Sequence, residues 1–283
     1  MLNVAARNAD PKLATSVVEV LSSRRTVISP FHYEALIAAY VGNCDLKTAF
    51  RVLCIMLKAG HEPDSSSTRP LFKYLSQSIH RVHQAWEALN ALEKEQHVIP
   101  ITAVNVIIES TIELAEYPEA VEFYKQLHRV VHTGPNTETY NTILRGAGRK
   151  DDGKELAMFM ANEMRIFEIK PDQLTYDRII LSCLRDDDYE DAFRYLEEME
   201  DVGKESVENG LKGWWMRKGT ASSLVRRCIV NGDQRAWSLL ETMEERGMNP
   251  TKLRHWADIQ WGNRFPALAK INTDMSSREL GIK

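Results

Sequence analysis

The chain has 283 residues, of which 43% are hydrophobic and 27% charged, and its formal net charge is −4 at pH 7. That apolar share is sufficient for a large core, because each large side chain buried contributes roughly 1.5–3 kcal/mol against the entropy of ordering the chain. No run of about 20 apolar residues is present, so no transmembrane helix is predicted, and the slight acidity excludes an overall basic surface while leaving room for a local basic strip.

Residues 1–25 are rich in Arg, Ser and Ala, as organellar presequences are. Asp10-Pro11 also makes a good helix start, with an N-cap Asp and Pro at the first helical position. Ala14 to Leu21 then continues as the second helix of a hairpin, so the chain is expected to begin inside a repeat. From there each second helix carries a small residue followed by a bulkier one: Ala14-Thr15, Ala49-Phe50, Ala85-Trp86, Ala120-Val121, Ala157-Met158, Ala192-Phe193 and Ala236-Trp237. Successive alanines lie 35, 36, 35, 37, 35 and 44 residues apart. A small residue lets paired helices approach closely, and the larger neighbour fills the gap toward the next hairpin.

First helices fall on the same ruler, opening at Tyr33, Thr68, Val104, Tyr140, Tyr176 and Ala221. Pro63, Pro100, Pro135, Pro171 and Pro250 precede them or the next helix, each ending the helix before it. Self-similarity at this period predicts a solenoid in which each hairpin buries its apolar face against its neighbours. The long interval contains Val202 to Gly219, with Gly203, Gly210, Gly213 and Gly219, and is predicted to be a looped insertion or a broken helix. Leu253 to Trp261 reads as one more first helix, and the pattern fades from Asn263 to Lys283. Cys44, Cys54, Cys183 and Cys228 form no CxxC pair. Cys183 and Cys228 occupy the slot that holds Tyr40 and Ala147 elsewhere, which points to packing rather than metal or disulfide chemistry.

Thr139-Tyr140-Asn141-Thr142-Ile143 and the tail Ile169-Lys170-Pro171-Asp172 resemble the pentatricopeptide repeat, as does Asn231-Gly232-Asp233 through Glu244 to Pro250. The resemblance covers roughly residues 10–261 and implies an all-α, right-handed superhelical solenoid of helix–turn–helix repeats. The array would occupy 1–262, as about six repeats plus a partial N-terminal one, with the insertion near 202–219 and a tail at 263–283. It further implies a monomeric mitochondrial-matrix protein that binds single-stranded RNA, a mitochondrial transcript, in RNA processing, stability or translation. Family members read one base per repeat, through the side chain after the aromatic and the last residue of the tail. In this chain the resemblance assigns those roles to Asn105 with Asn136 and to Asn141 with Asp172, and phosphate approach to Arg149 and Arg185. The remaining pairs depart from the pattern: Glu34 with Asp64, Arg69 with Pro100, Asp177 with Arg217, Ser222 with Thr251. The alternative within the same fold is a protein-binding scaffold, such as a respiratory-complex assembly factor or a ribosome-associated protein.

No catalytic constellation, cofactor or metal site is predicted. Asp186-Asp187-Asp188 falls at a turn between helices, where acids cap the second helix. His128 and His132 lack a third ligand nearby. Within the insertion Lys212, Trp214, Trp215, Arg217 and Lys218 mix cations with aromatics. That mixture suits RNA or a protein partner, against the alternative that both tryptophans plug the enlarged gap between repeats.

Overall fold

The computed structural model describes residues 1–149, 153–204 and 213–265, and all of its regular elements there are α-helices. Two compact units result, Met1–Gly146 and Ala147–Lys283.

The first unit contains α1 (Leu2–Arg7), α2 (Pro11–Ser23), α3 (Pro30–Gly42), α4 (Leu46–Lys58), α5 (Ser65–Leu75), α6 (Ile79–Lys94), α7 (Ile101–Glu113) and α8 (Tyr117–Val130). Helix α9 (Thr137–Ala147) ends at its boundary. First helices pack on first helices, α3 on α5 and α5 on α7, while α4 packs on α6 and α3 on its own partner α4. Asp10 caps α2 as expected, accepting the Leu13 amide at 3.0 Å. One helix was not anticipated from sequence. Helix α1 stands where a first helix belongs, with Leu2 and Ala5 buried, and packs on both α2 and α3. Only six residues long, it is too short for the apolar periodicity to register.

The second unit contains α10 (Gly153–Ile166), α11 (Gln173–Arg185), α12 (Tyr189–Val202), α13 (Lys218–Asn231), α14 (Arg235–Glu245) and α15 (Thr251–Arg264). The same order holds: α11 packs on α10, α12 and α13, and α13 on α14 and α15. Lys212 and most of the 263–283 tail lie outside the described residues.

The α3–α4, α7–α8, α11–α12 and α13–α14 hairpins are closed by the same device. A residue in the left-handed conformation follows the first helix: Cys44 (φ 59°), Ala115 (φ 62°), Asp187 (φ 59°) and Gly232 (φ 73°). The next amide then reaches back five residues, as in Asp45 to Tyr40, Glu116 to Thr111, Asp188 to Cys183 and Asp233 to Cys228, at 2.9–3.1 Å. This is the Schellman closure, which satisfies carbonyls that the helix end leaves bare. Asp45 and Asp188 at once cap the second helix through the amides of Thr48 and Asp191. The acidic run Asp186 to Asp188 is therefore turn and cap. Asp186 also accepts the Lys154 amide at 2.9 Å, and the Lys154 ammonium sits between Asp188 and Asp191, holding the Asp188 carboxyl below its usual range.

The core follows the alanine ruler. Ala14, Ala49, Ala85, Ala120, Ala157, Ala192 and Ala236 are at most 1% exposed. Of their larger neighbours Phe50 and Trp86 are buried, whereas Val121, Met158, Phe193 and Trp237 are only half-buried. The aromatic slot of the first helix is buried at Tyr33, Thr68, Val104, Tyr140, Tyr176 and Ala221. Cys54, Cys183 and Cys228 are buried too, and burial pushes their thiols up to about 11, 12 and 12.

Ala85 is fully buried on the face of α6 that carries Val82 and Leu89. Ala85→Leu is expected to cost about 1–3 kcal/mol by overpacking, read as a lowered urea midpoint at unchanged slope. A neutral result would show that the helices do not meet at this residue.

Candidate nucleic-acid interface

The repeated Thr-Tyr of the first helices has a local cause. Asn136 Oδ1 accepts the Thr139 amide at 3.0 Å, and the Asn136 amide donates to Thr139 Oγ1 at 3.2 Å. Asp172 and Thr175 repeat this reciprocal pair at 2.7 and 3.1 Å, and Asp64 caps through Ser67 at 2.9 Å. The tail residue assigned to base selection is therefore the N-cap of the next first helix, where one side chain satisfies an otherwise bare amide. Its position is fixed by helix nucleation.

In the first unit that cap lies beside the selecting residue of α7. Asn105 Nδ2 donates to Asn136 Oδ1 at 3.3 Å and to Glu138 Oε2 at 3.5 Å, while Asn105 Oδ1 accepts from Thr139 Oγ1 at 2.7 Å. The structure thus brings Asn105 and Asn136 together. Asn105 is only 5% exposed, and its amide is engaged on both ends. Asn141, on α9, is equally buried. It belongs to the first unit and Asp172 to the second. Glu138 joins this cluster, a residue that no motif in the sequence marks. Partial loss of hydration raises its carboxyl above the usual range, the Asn105 bond opposes that, and Glu109 and Asp64 add repulsion. Glu109 in turn pairs with Arg145 at 3.1 Å. Glu109 and Arg145 are 36 residues apart, so the repeat register alone would have placed them on the same face.

In the second unit the face formed by α11, α13 and α15 is cationic. Arg185, Arg226 and Arg227 line a cavity of about 610 Å³ with Leu181, Leu184 and Ser223. Lys218, Arg226 and Lys252 line another of about 630 Å³, beside Ser222 and Asn249. Arg226 lies 4.9 Å from the centre of the Trp256 ring, and Arg227 pairs with Asp187. Arg149 and Arg185 are exposed. The departing pair of this unit is closed on itself: Asp177, 4% exposed, accepts the Arg217 amide at 2.8 Å and lies 3.8 Å from Arg217 Nε. Arg217 caps α13 with no side-chain acceptor of its own, and Asp177 supplies one. Pro250, not Thr251, is the cap of α15, so the tail position after Ser222 is one residue earlier than the sequence reading placed it.

The two insertion tryptophans have different fates. Trp215 is 2% exposed, its carbonyl accepts from Gln173 Nε2 at 2.8 Å, and the Arg246 guanidinium lies 5.3 Å from its ring centre. Buried in this way it plugs the unit and offers no face to RNA or a partner, which corrects its assignment as a contact residue. Trp214 is half-buried and lines a cavity. Arg217 and Lys218 are exposed.

Stacked helical hairpins with this recurring cap define a tandem helical-repeat protein. Residues 1–127 match the family model described as "Pentatricopeptide repeat-containing protein", and residues 174–203 match that of the PPR repeat, together more than half of the chain. The chain belongs to the pentatricopeptide repeat family. No curated protein matches it. Among solved structures it is similar to the pentatricopeptide repeat protein PPR10 in complex with an 18-nt psaJ RNA element, at 16% identity and a TM-score of 0.44, over 95% of this chain and 43% of that one. PPR10 from maize is matched at 14% identity and a TM-score of 0.34, over 89% and 44%. The chain spans less than half the length of these proteins.

A carboxyl whose folded pKa lies above its unfolded value favours folding at low pH and loses that contribution as pH rises through the folded value. Glu138 is such a group. Glu138→Gln is therefore expected to raise the urea midpoint at pH 7, with the gain shrinking to nothing below about pH 4. A gain independent of pH would refute the electrostatic origin.

Proposed function

We infer that this chain is a non-catalytic, monomeric protein of the mitochondrial matrix. It binds a single-stranded mitochondrial transcript along its first-helix faces and acts in RNA processing, stability or translation. The observation that carries this reading is the collection of Arg185, Lys218, Arg226 and Lys252 on one face of a chain whose net charge is −4. Cations concentrated there neutralise phosphates, and that neutralisation supplies most non-specific affinity. Support also comes from the meeting of Asn105 with Asn136 at 3.3 Å. Asn105 would read a base by exchanging its long contact with Glu138. Asn141 and Asp172, each from its own unit, would also take part in base reading, and Arg149 with Arg185 would approach phosphates. The mitochondrial setting follows the habit of the family.

A second reading has its own observation. Glu109 and Asp64 both act electrostatically on Glu138 in the first unit, which disfavours phosphate there and suits a basic protein segment, as in a respiratory-complex assembly factor or a ribosome-associated protein.

Filter binding of random mitochondrial transcripts at two salt concentrations separates the two. RNA binding predicts affinity that falls steeply with salt, with Arg185→Gln reducing the slope by about 0.7. Asn141→Ala and Arg149→Glu are each expected to weaken binding several-fold. Salt-independent or absent binding, with a stable protein partner recovered by pull-down, would support the scaffold instead. Subcellular fractionation tests the location, the expected result being protease protection inside mitochondria.

A further inference from the structure

We propose that Trp214 forms an additional base-stacking slot, built by the insertion, that receives one nucleobase of single-stranded RNA. The proposal rests on the RNA reading above and adds a site to it. The slot is a cavity of about 440 Å³ lined by Asp172, Gln173, Leu174, Trp214 and Arg217. That volume lies within the range of small-ligand pockets and admits a purine or a pyrimidine.

Its walls carry the chemistry a base needs. The Trp214 indole offers a flat aromatic face and Leu174 an apolar one, while the exposed Arg217 places a cation where a phosphate or the base itself is reached. Stacking on an aromatic ring tolerates any base, because every base has a π-face. The adjacent Gly219, at the second position of α13, has no side chain, whereas Thr102, Glu138 and Leu174 hold the second position of α7, α9 and α11. Trp214 supplies apolar surface from outside the helix at the repeat whose own helix supplies none.

The segment carrying Trp214 is held from several sides. On one side the Gly213 carbonyl accepts from Arg246 Nη1 at 2.8 Å. On the other, the Trp215 carbonyl is bonded to Gln173, and Trp215 and Met216 are buried at 2% and 1%. The Arg217 amide is fixed by Asp177. Gly203 allows Trp214 to sit close against the end of α12, since a Cβ there would lie 2.5 Å from Trp214 Cβ and 2.7 Å from its amide nitrogen. With both neighbours anchored and its backbone backed by Gly203, the Trp214 ring is the one member of the pair presented to the cavity. A slot held in place before binding loses little entropy when a base enters.

The test uses the full chain and a fluorescein-labelled random-sequence RNA oligomer read by anisotropy. Trp214→Ala is expected to weaken binding about tenfold, and Trp214→Phe, which keeps a stacking ring and the fold, to restore most of that loss. With 4-thiouridine in the oligomer, photo-crosslinking is expected to place an adduct on the Trp214 peptide. Wild-type binding left unchanged by Trp214→Ala overturns the slot and leaves the RNA reading standing. So does a loss that Trp214→Phe fails to restore, accompanied by no adduct at Trp214, because the residue then only props the segment. Failure of the wild-type chain to bind the oligomer at all overturns both.

Discussion

The close approach of two helices at a buried alanine governs everything else in this chain. From Ala49 to Ala236, each second helix carries an alanine no more than 1% exposed. Helices that touch through a methyl group cannot slide past one another without driving a longer side chain into backbone. The Schellman turn then leaves only three residues between the two helices, Asn43 to Asp45 and Asp186 to Asp188, the second left-handed and the third the cap. Together these lock the repeat length, and a locked length keeps equivalent side chains on equivalent faces.

That constraint also sets where the residues proposed for base reading lie. The residue that ends each tail is also the residue that caps the next helix, through Asp64, Asn136 and Asp172. Its acceptor is committed to nucleating a helix, and its location beside the preceding first helix is a by-product. Asn105 exploits that by-product in the first unit, reaching both Asn136 and Thr139. Where the tail ends in Arg217, no cap side chain exists, and buried Asp177 turns to hold the bare amide. Asp177 there serves the start of the next helix.

Charge is distributed by unit. The first unit sets Asp64 and Glu109 within electrostatic reach of Glu138, and the second gathers Arg185, Lys218, Arg226 and Lys252 around two cavities. Net charge averages these and hides both. The insertion belongs to the cationic unit, where it buries Trp215 and Met216 and turns Trp214 toward Asp172, Leu174 and Arg217.

What the sequence determined by itself was periodic. The alanine interval, the aromatic slot, the Thr of the capping pair and the prolines repeat, and repetition needs no coordinates to be seen; the helical hairpins and their buried positions follow from it. Residues that occur once could not be placed in that way. Helix α1 is too short to show a period, and Glu138 joins the Asn105 cluster only because α7 and α9 lie side by side. Trp214 and Trp215 are identical letters in one dipeptide. Tertiary packing alone decided that one is a plug and the other a wall, since the neighbours that separate them, Gly203, Gln173 and Arg246, come from three other places in the chain.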